Sequence, residues 1–323
     1  MANSLCEHAH IRVPLICGAM YPCSNPELVG AVSAAGGIGI IQPISLTYVH
    51  GYDFREGVRL TQKIAHGQPV GFNALIEQSS KYYRKRMESW IEIALEEGIR
   101  FFITSLGNPR WVVDRVTQVG GFVYHDVTEA KWAKKGADAG VHGLIAVNNR
   151  AGGHAGSQSA QALADELKPF GLSLVCAGGI GTPEEFRRAI DMGYAGVQLG
   201  TRFIATSECN AHPDYKRAIV DATSKDIVLT ERLTGVPVAV INNAYVERLG
   251  TRAGPIARWM LRGRKTKHWM RSIYALKSLY RLKKDLTRKA GEEEYWQAGR
   301  SVDGIHGVES VSDIVRKYQA ALQ

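Results

Sequence analysis

Leu172-Ser-Leu-Val-Cys-Ala-Gly-Gly-Ile-Gly-Thr-Pro183 carries, in twelve residues, the end of one structural element and the start of the next. The run Leu172 to Ala177 is apolar and of strand length, and it stops at two glycines. Thr182 then offers a capping hydroxyl and Pro183 suits a first helical position, so a helix is expected from Pro183 to Met192. A second apolar run, Gly196 to Leu199, follows and closes on Gly200-Thr201. Strand, crossover helix and strand at this spacing make a parallel β-α-β unit.

The same pattern repeats towards the N-terminus. Apolar runs at Leu15 to Cys17, Gly37 to Ile41, Pro69 to Asn73, Arg100 to Thr104, Phe122 to His125 and Gly143 to Val147 bring the candidate strands to eight. Helical spacing lies between them at Pro26 to Ala35, Lys81 to Glu97, Thr128 to Lys135 and Ala160 to Lys168, with Asn25, Thr128 and Thr182 as expected caps. Eight such units suit an α/β fold of the closed (β/α)8 TIM barrel type better than an open doubly wound sheet, which usually stops near six strands. The barrel is expected over residues 1–235 and a C-terminal helical extension over 236–323, in which Val236 to Ile241 is either an added strand or a packed loop and Ser310 to Leu322 a last helix. Barrel chemistry sits where the strands end. The residues expected to share one mouth are therefore Gly18-Ala19-Met20, Gln42, Asn73, Asp126, the loop Arg150 to Gly156, Gly178-Gly179 and Gly200-Thr201.

The 323 residues, 45% hydrophobic and 22% charged, are an ordinary globular composition. The formal charge of +9 is uneven: Arg248 to Ala290 holds fourteen Lys or Arg against the single acid Asp285, which leaves −4 for the rest. Within it Trp269, Ile273, Leu276 and Tyr280 fall at helical spacing, as do Leu279, Leu282 and Leu286, while Arg271, Lys277, Arg281 and Lys284 take other faces. An amphipathic basic helix is expected over this part of 248–290, either packed on the barrel with a solvated cationic side or docked to an anionic membrane surface or an acidic carrier protein. No nucleic-acid-binding module is recognisable, so nucleic acid is not an expected partner. There is no apolar run of eighteen residues, and Met1 to His8 lacks the basic and then apolar regions of a secretory signal, so a cytoplasmic location is expected. The five cysteines are odd in number and scattered, which suits small buried residues and no metal. A small-molecule substrate is the expected partner, and a homodimer is one assembly the chain could form.

Two glycine loops after the seventh and eighth strands can present bare N–H groups to an anion, and in barrels this pair of loops is a frequent phosphate site. The plainer alternative is two tight turns. Arg150-Ala-Gly-Gly-His-Ala-Gly156 sets one imidazole, His154, among small residues that leave room for a planar ligand. A histidine there can exchange a proton near neutrality, although a surface histidine on a loop is the ordinary case.

Ile11-Arg-Val-Pro-Leu-Ile-Cys-Gly-Ala-Met20, Gly30-Ala-Val-Ser-Ala-Ala-Gly-Gly-Ile-Gly39, Ala151-Gly-Gly-His-Ala-Gly156, Ala177-Gly-Gly-Ile180 and Leu199-Gly-Thr-Arg-Phe203 together resemble the nitronate monooxygenase family, formerly 2-nitropropane dioxygenases. The resemblance runs from about Ile11 to Cys209, with an echo at Trp296 to Gly299. It implies an FMN whose phosphate meets Gly178, Gly179, Gly200 and Thr201, and whose ring lies near Gly18, Ala19, Met20, Asn73 and Gly152-Gly153. His154 matches the family's catalytic histidine, acting as base toward a nitroalkane or orienting a bound nitronate. Related proteins often carry a lysine beside the flavin pyrimidine where this chain has Asp126; a register slipped by one residue would put His125 there instead. The implied activity is oxidation of alkyl nitronates with dioxygen. The same superfamily includes NADH:quinone reductases and flavin enoyl-acyl carrier protein reductases, so an NAD(P)H-dependent reductase, with NADH or NADPH as co-substrate, is the alternative. Two further readings are a phosphate-binding scaffold without redox chemistry and a barrel with a cysteine nucleophile, as in inosine monophosphate dehydrogenases. The last is disfavoured because no cysteine lies in the loops after strands six and seven.

Overall fold

The computed structural model describes residues 3–76, 81–233, 235–252 and 295–323. Eight parallel strands close on themselves: β1 (Leu15–Cys17), β2 (Ile38–Ile41), β3 (Gly71–Leu75), β4 (Phe101–Ser105), β5 (Phe122–Val127), β6 (Gly143–Val147), β7 (Ser173–Ala177) and β8 (Gly196–Leu199), with β8 pairing back to β1. This is the expected (β/α)8 barrel. β3 and β5 run two residues further than the apolar runs suggest, so Asn73 and Asp126 stand inside strands and not just after them. The polar residues ended the apolar pattern before the backbone ladder ended.

Register sorts the side chains. Ile16, Ile38, Ile40, Phe101, Ile103, Tyr124, Ile145 and Val175 form one buried cluster that fills the barrel, while Cys17, Phe72, Phe102, Val123, Leu144 and Cys176 belong to the shell beneath the helices. Paired residues in adjacent strands point to the same side, and successive residues alternate. Asn73 pairs with Ile103, Asp126 with Ile145 and Gln198 with Ile16, so all three face inward. His125 pairs with Leu144 and faces outward, where its ring lies against Gly136. Asp126, not His125, therefore occupies the inner position.

α1 (Ser4–Ala9) precedes the first strand and packs Leu5 and Ala9 on the inner cluster, while the outer layer holds α2 (Pro26–Ala35), α3 (Phe54–Ile64), α4 (Lys81–Glu96), α5 (Arg110–Thr117), α6 (Ala130–Asp138), α7 (Ala160–Leu167) and α8 (Pro183–Asp191). The periodicity reading names neither α3 nor α5; Asp53 starts the former by accepting from the N–H groups of Arg55 and Glu56. Two expected caps differ. Asn25 sits at the N-cap of α2 but its side-chain amide donates to Glu27 and to the Glu208 carbonyl. Thr128 is outside α6, which Glu129 precedes, and the Ala130 N–H is met across the surface by Glu166 of α7.

After the barrel come α9 (Thr201–Ile204), α10 (Pro213–Asp221), β9 (Ile227–Thr230), β10 (Val238–Ile241), α11 (Ala244–Leu249) and α12 (Val311–Ala320). The stretch from Val236 to Ile241 is thus a strand, antiparallel to β9, and the expected boundary at 235/236 falls in the link between the two. The last helix returns to the barrel. Val311, Ile314, Val315 and Tyr318 of α12 join the core, Tyr318 packs against Phe186 of α8 with ring centroids 5.5 Å apart, and α12 also lies on α2. It fills the gap in the helical ring between the last β-α unit and the first. The expected basic amphipathic helix, including Trp269 to Leu286, lies outside the described residues. Among the described residues no helix is long and apolar enough to cross a membrane.

Candidate active site

Glycines 178 and 179 have φ of +112° and +76°, a region that side-chain-bearing residues rarely adopt. Space forbids side chains there as well. A Cβ on Gly178 would stand 2.5 Å from the Ala151 nitrogen and 2.6 Å from Asn148 Oδ1, and one on Gly179 would meet Arg150 Nε at 2.5 Å. Asn148, fully buried at the end of β6, organises both loops: its Nδ2 donates to the Gly178 carbonyl at 2.9 Å and its Oδ1 accepts the Arg150 N–H at 2.8 Å. The turn after β7 is thereby fastened to the loop after β6.

Among the described residues, the N–H groups of Gly178, Gly179 and Gly200 meet no hydrogen-bond acceptor, and that of Thr201, first in α9, has none within its helix. Such groups are rarely left unpaired away from solvent. Thr201 Oγ1 accepts the Gly299 N–H at 2.9 Å, which leaves the hydroxyl hydrogen free to be donated. The Met20 side chain lies over Gly200, with its sulfur 3.4 Å from where a Cβ would be. These groups could hold a phosphate. The start of α8 does not add to them, because Glu185 already accepts the N–H groups of Gly181 and Thr182 in a capping box with Thr182. The cation nearby is Arg150, which lies against Gly179 with Nη2 3.5 Å from Glu185. Arg202 is turned away: buried, it bonds to the carbonyls of Ala205 and Gly307 and pairs with Glu309 at 3.3 Å.

A distant segment closes the site from behind. Gln297 bridges to Val240 of β10, Tyr215 of α10 stacks on Trp296 and donates to the Gln297 carbonyl, and Arg300 N–H donates to the Arg150 carbonyl. Gly152 and Gly299 touch backbone to backbone; a Cβ on either would meet the other's nitrogen within 3 Å. Gly153, at φ +68°, accepts from the Ala239 N–H. The echo at Trp296 to Gly299 in the sequence is thus the wall behind Gly152-Gly153.

Inside the mouth two polar atoms are orphaned. Asp126 Oδ1 and Gln198 Oε1 are shielded from solvent and meet no hydrogen-bond partner among the described residues. Asp126 as a whole is partly accessible, but among the described residues no cation pairs with it, and burial pushes its carboxyl up to about 7. Gln198 lies against Gly18, whose Cβ would come within 3.0 Å of it. Composition and periodicity do not single out Gln198; strand parity with Ile16 does. His125 behaves oppositely: its Nδ1 bonds Thr104 Oγ1 at 2.8 Å and burial lowers it to about 4, so it is a neutral packing residue. His154 is exposed on the loop between β6 and α7. The structure thus brings Gly178, Gly179, Gly200, Thr201 and Met20 together, joins Gly152 to Thr201 through Gly299, and aims Asn73 and Asp126 inward; Ala19 packs on the inner cluster.

The family model for nitronate monooxygenase matches residues 3–319. The chain belongs to the nitronate monooxygenase family. This makes it a member of a family of oxidoreductases. Its relatives within reach are varied: it is 27% identical over 259 residues, 78% of this chain and 70% of the relative, to a (3aS,4S,5R,7aS)-5-hydroxy-7a-methyl-1-oxo-octahydro-1H-indene-4-carboxyl-CoA dehydrogenase of Mycobacterium tuberculosis. It is 25% identical over 289 residues, 74% of this chain and 78% of the relative, to a probable nitronate monooxygenase of Staphylococcus saprophyticus. Among solved structures, FabK from Thermotoga maritima is similar at TM-score 0.79 and 24% identity over 99% of this chain and 96% of that one. A nitroalkane oxidase from Streptomyces ansochromogenes is similar at TM-score 0.76 and 20% identity, over 99% and 97%. These two likenesses show the barrel as the shared fold of this nitronate monooxygenase family member.

Proposed function

We propose that this family member is an FMN-dependent oxidoreductase that oxidises a carbon acid, with an alkyl nitronate as substrate and dioxygen as the final acceptor. The observation that carries the reading is the cradle at Gly178, Gly179, Gly200 and Thr201, whose N–H groups meet no acceptor among the described residues and whose hydroxyl is set to donate. A phosphate monoester fits those donors, and a ring with an N–H at its edge, as a flavin pyrimidine has, fits the orphaned Gln198 Oε1. The bound flavin supplies a two-electron acceptor that can pass its electrons to dioxygen.

The chain's own residues supply position and protons. Gly152 and Gly153 bring no side chain to the loop, and Met20, which lies against Gly200, flanks the phosphate end. The His154 imidazole takes the proton from the carbon beside the nitro group, or holds a nitronate that arrives already ionised. Asp126, near half protonation at neutral pH, presents a hydroxyl donor or a carboxylate to the same mouth. A second reading keeps this machinery and changes the carbon acid to the carbon beside a coenzyme A thioester; the carboxyl-CoA dehydrogenase relatives favour it.

Anaerobic mixing of the flavin-loaded protein with a nitronate, NADH or NADPH tests the reading. The nitronate is expected to bleach the flavin; prompt bleaching by a nicotinamide and none by the nitronate reassigns the protein as an NAD(P)H-dependent reductase. Gly179→Ala, which collides with Arg150 at a φ of +76°, is expected to lower bound flavin about tenfold or more. Full flavin content in that variant would move the phosphate elsewhere.

A further inference from the structure

The N-terminal end of α4 reads Lys81-Tyr-Tyr-Arg-Lys-Arg86, four cations in six residues interleaved with two tyrosines. α4 follows β3 and runs back down the barrel, so this end lies at the rim of the mouth, as does the π-helical turn Ser45–Val49 that follows β2. The cluster is ordered from within. Tyr82, Arg86 and Trp90 stand four residues apart on one face of α4; the Arg86 guanidinium lies 5.4 Å from the Trp90 ring centre and 5.6 Å from that of Tyr48, and donates to Tyr82 Oη at 3.3 Å. Trp90 is buried and anchors the group, whereas Tyr82 is 70% and Tyr48 46% exposed. Lys81 and Lys85 are exposed, and among the described residues the ion pair formed here is that of Arg84 with Glu88, at 2.9 Å. Two exposed tyrosines with this run of cations beside them stand out on a chain whose remainder outside 248–290 is net acidic.

We infer that Tyr48, Tyr82, Arg86, Lys81 and Lys85 form a rim site for the adenosine-phosphate handle of a coenzyme A thioester, whose long arm carries the acyl group into the mouth. An adenine ring stacks on exposed tyrosines, and phosphates accept from arginine and lysine donors. Arg86, held between two rings and a phenol oxygen, keeps its orientation before any ligand arrives, which reduces the ordering lost on binding. A nicotinamide dinucleotide phosphate shares the same chemistry; the coenzyme is favoured because two relatives, of Mycobacterium tuberculosis and Rhodococcus jostii, are carboxyl-CoA dehydrogenases. The inference rests on the second reading of the substrate above for its reacting end, and on the rim alone for the handle.

Calorimetric titration of the flavin-loaded protein with coenzyme A, adenosine 3′,5′-bisphosphate, adenosine 2′,5′-bisphosphate and pantetheine tests it. Coenzyme A and the 3′,5′-bisphosphate are expected to bind, more weakly as salt is raised, and pantetheine not to bind. Lys81→Gln with Lys85→Gln is expected to weaken coenzyme A about tenfold or more, and Tyr82→Ala severalfold, with flavin content and melting temperature unchanged. The site is overturned by equal binding of pantetheine, by preference for the 2′,5′-bisphosphate, by variants that bind as well as the parent, or by binding of an acidic carrier protein alone. A parent protein that binds none of the nucleotides while its flavin is still reduced refutes the rim site only, while a parent that takes up no flavin refutes the reading of the mouth.

Discussion

Asp126 shows how one side chain can be legible in kind and not in consequence. Its position at the end of the fifth unit is evident from the order of the strands, but the strand extends through it to Val127, and only the pairing with Ile145 shows that it faces inward. Its ordinary value in an unfolded chain is near 4 and burial lifts it to about 7 in the fold. Below about pH 4 both states carry the proton and the site costs nothing; between about 4 and 7 the unfolded chain ionises first, so stability falls as pH rises, and above 7 the loss is complete. The full linkage is at most about 4 kcal/mol, less what water in the mouth restores. Asp126→Asn should flatten this descent, read as urea midpoints of the flavin-free protein from pH 4 to 8, and a parent midpoint constant across that window contradicts the assignment. His154 makes a sharper test of chemistry. His154→Ala is expected to keep its flavin and to lose about 10²-fold in turnover of a neutral nitroalkane, the usual worth of a positioned base, and a rate equal to the parent's removes it from the mechanism.

At the level of single elements, α8 is the most readable segment, and its start takes no part in the anion cradle. Thr182, Pro183 and Glu185 signal its start, and the structure has the full capping box. The same box occupies the N–H groups of Gly181 and Thr182 with a carboxylate, so the helix end does not face an anion; the flanking glycines do. Thr182→Ala should cost about 1 kcal/mol of stability and leave flavin affinity nearly unchanged, a contrast with Gly179→Ala that denaturation and flavin titration resolve. Other elements were hidden for physical reasons. The cap of α6 comes from Glu166 of another helix, and Gln198 shows its inward direction only through pairing with Ile16.

For the molecule as a whole, eight strands and their order could be read because parallel barrel strands are buried on both faces and stand out as apolar runs. What could not be read was how the end of the chain completes the barrel. α12 lies more than a hundred residues after β8, yet its Tyr318 sits against Phe186 and its apolar face covers the gap beside α2. Tyr318→Ala is expected to destabilise the protein by about 3 to 5 kcal/mol, because a fully buried ring leaves a cavity at the seam of the ring of helices. A melting temperature within a degree of the parent's would show that the seam is held by other contacts. The wall at Trp296 to Gly299 has a bearing on biosynthesis. When a ribosome has released the eighth strand, every glycine of the cradle is already outside the exit tunnel, but Thr201 and Gly152 still lack the Gly299 backbone that steadies them. Cofactor loading should therefore wait for the segment Trp296 to Gly299, and nascent chains arrested before Trp296 should emerge colourless even in excess flavin.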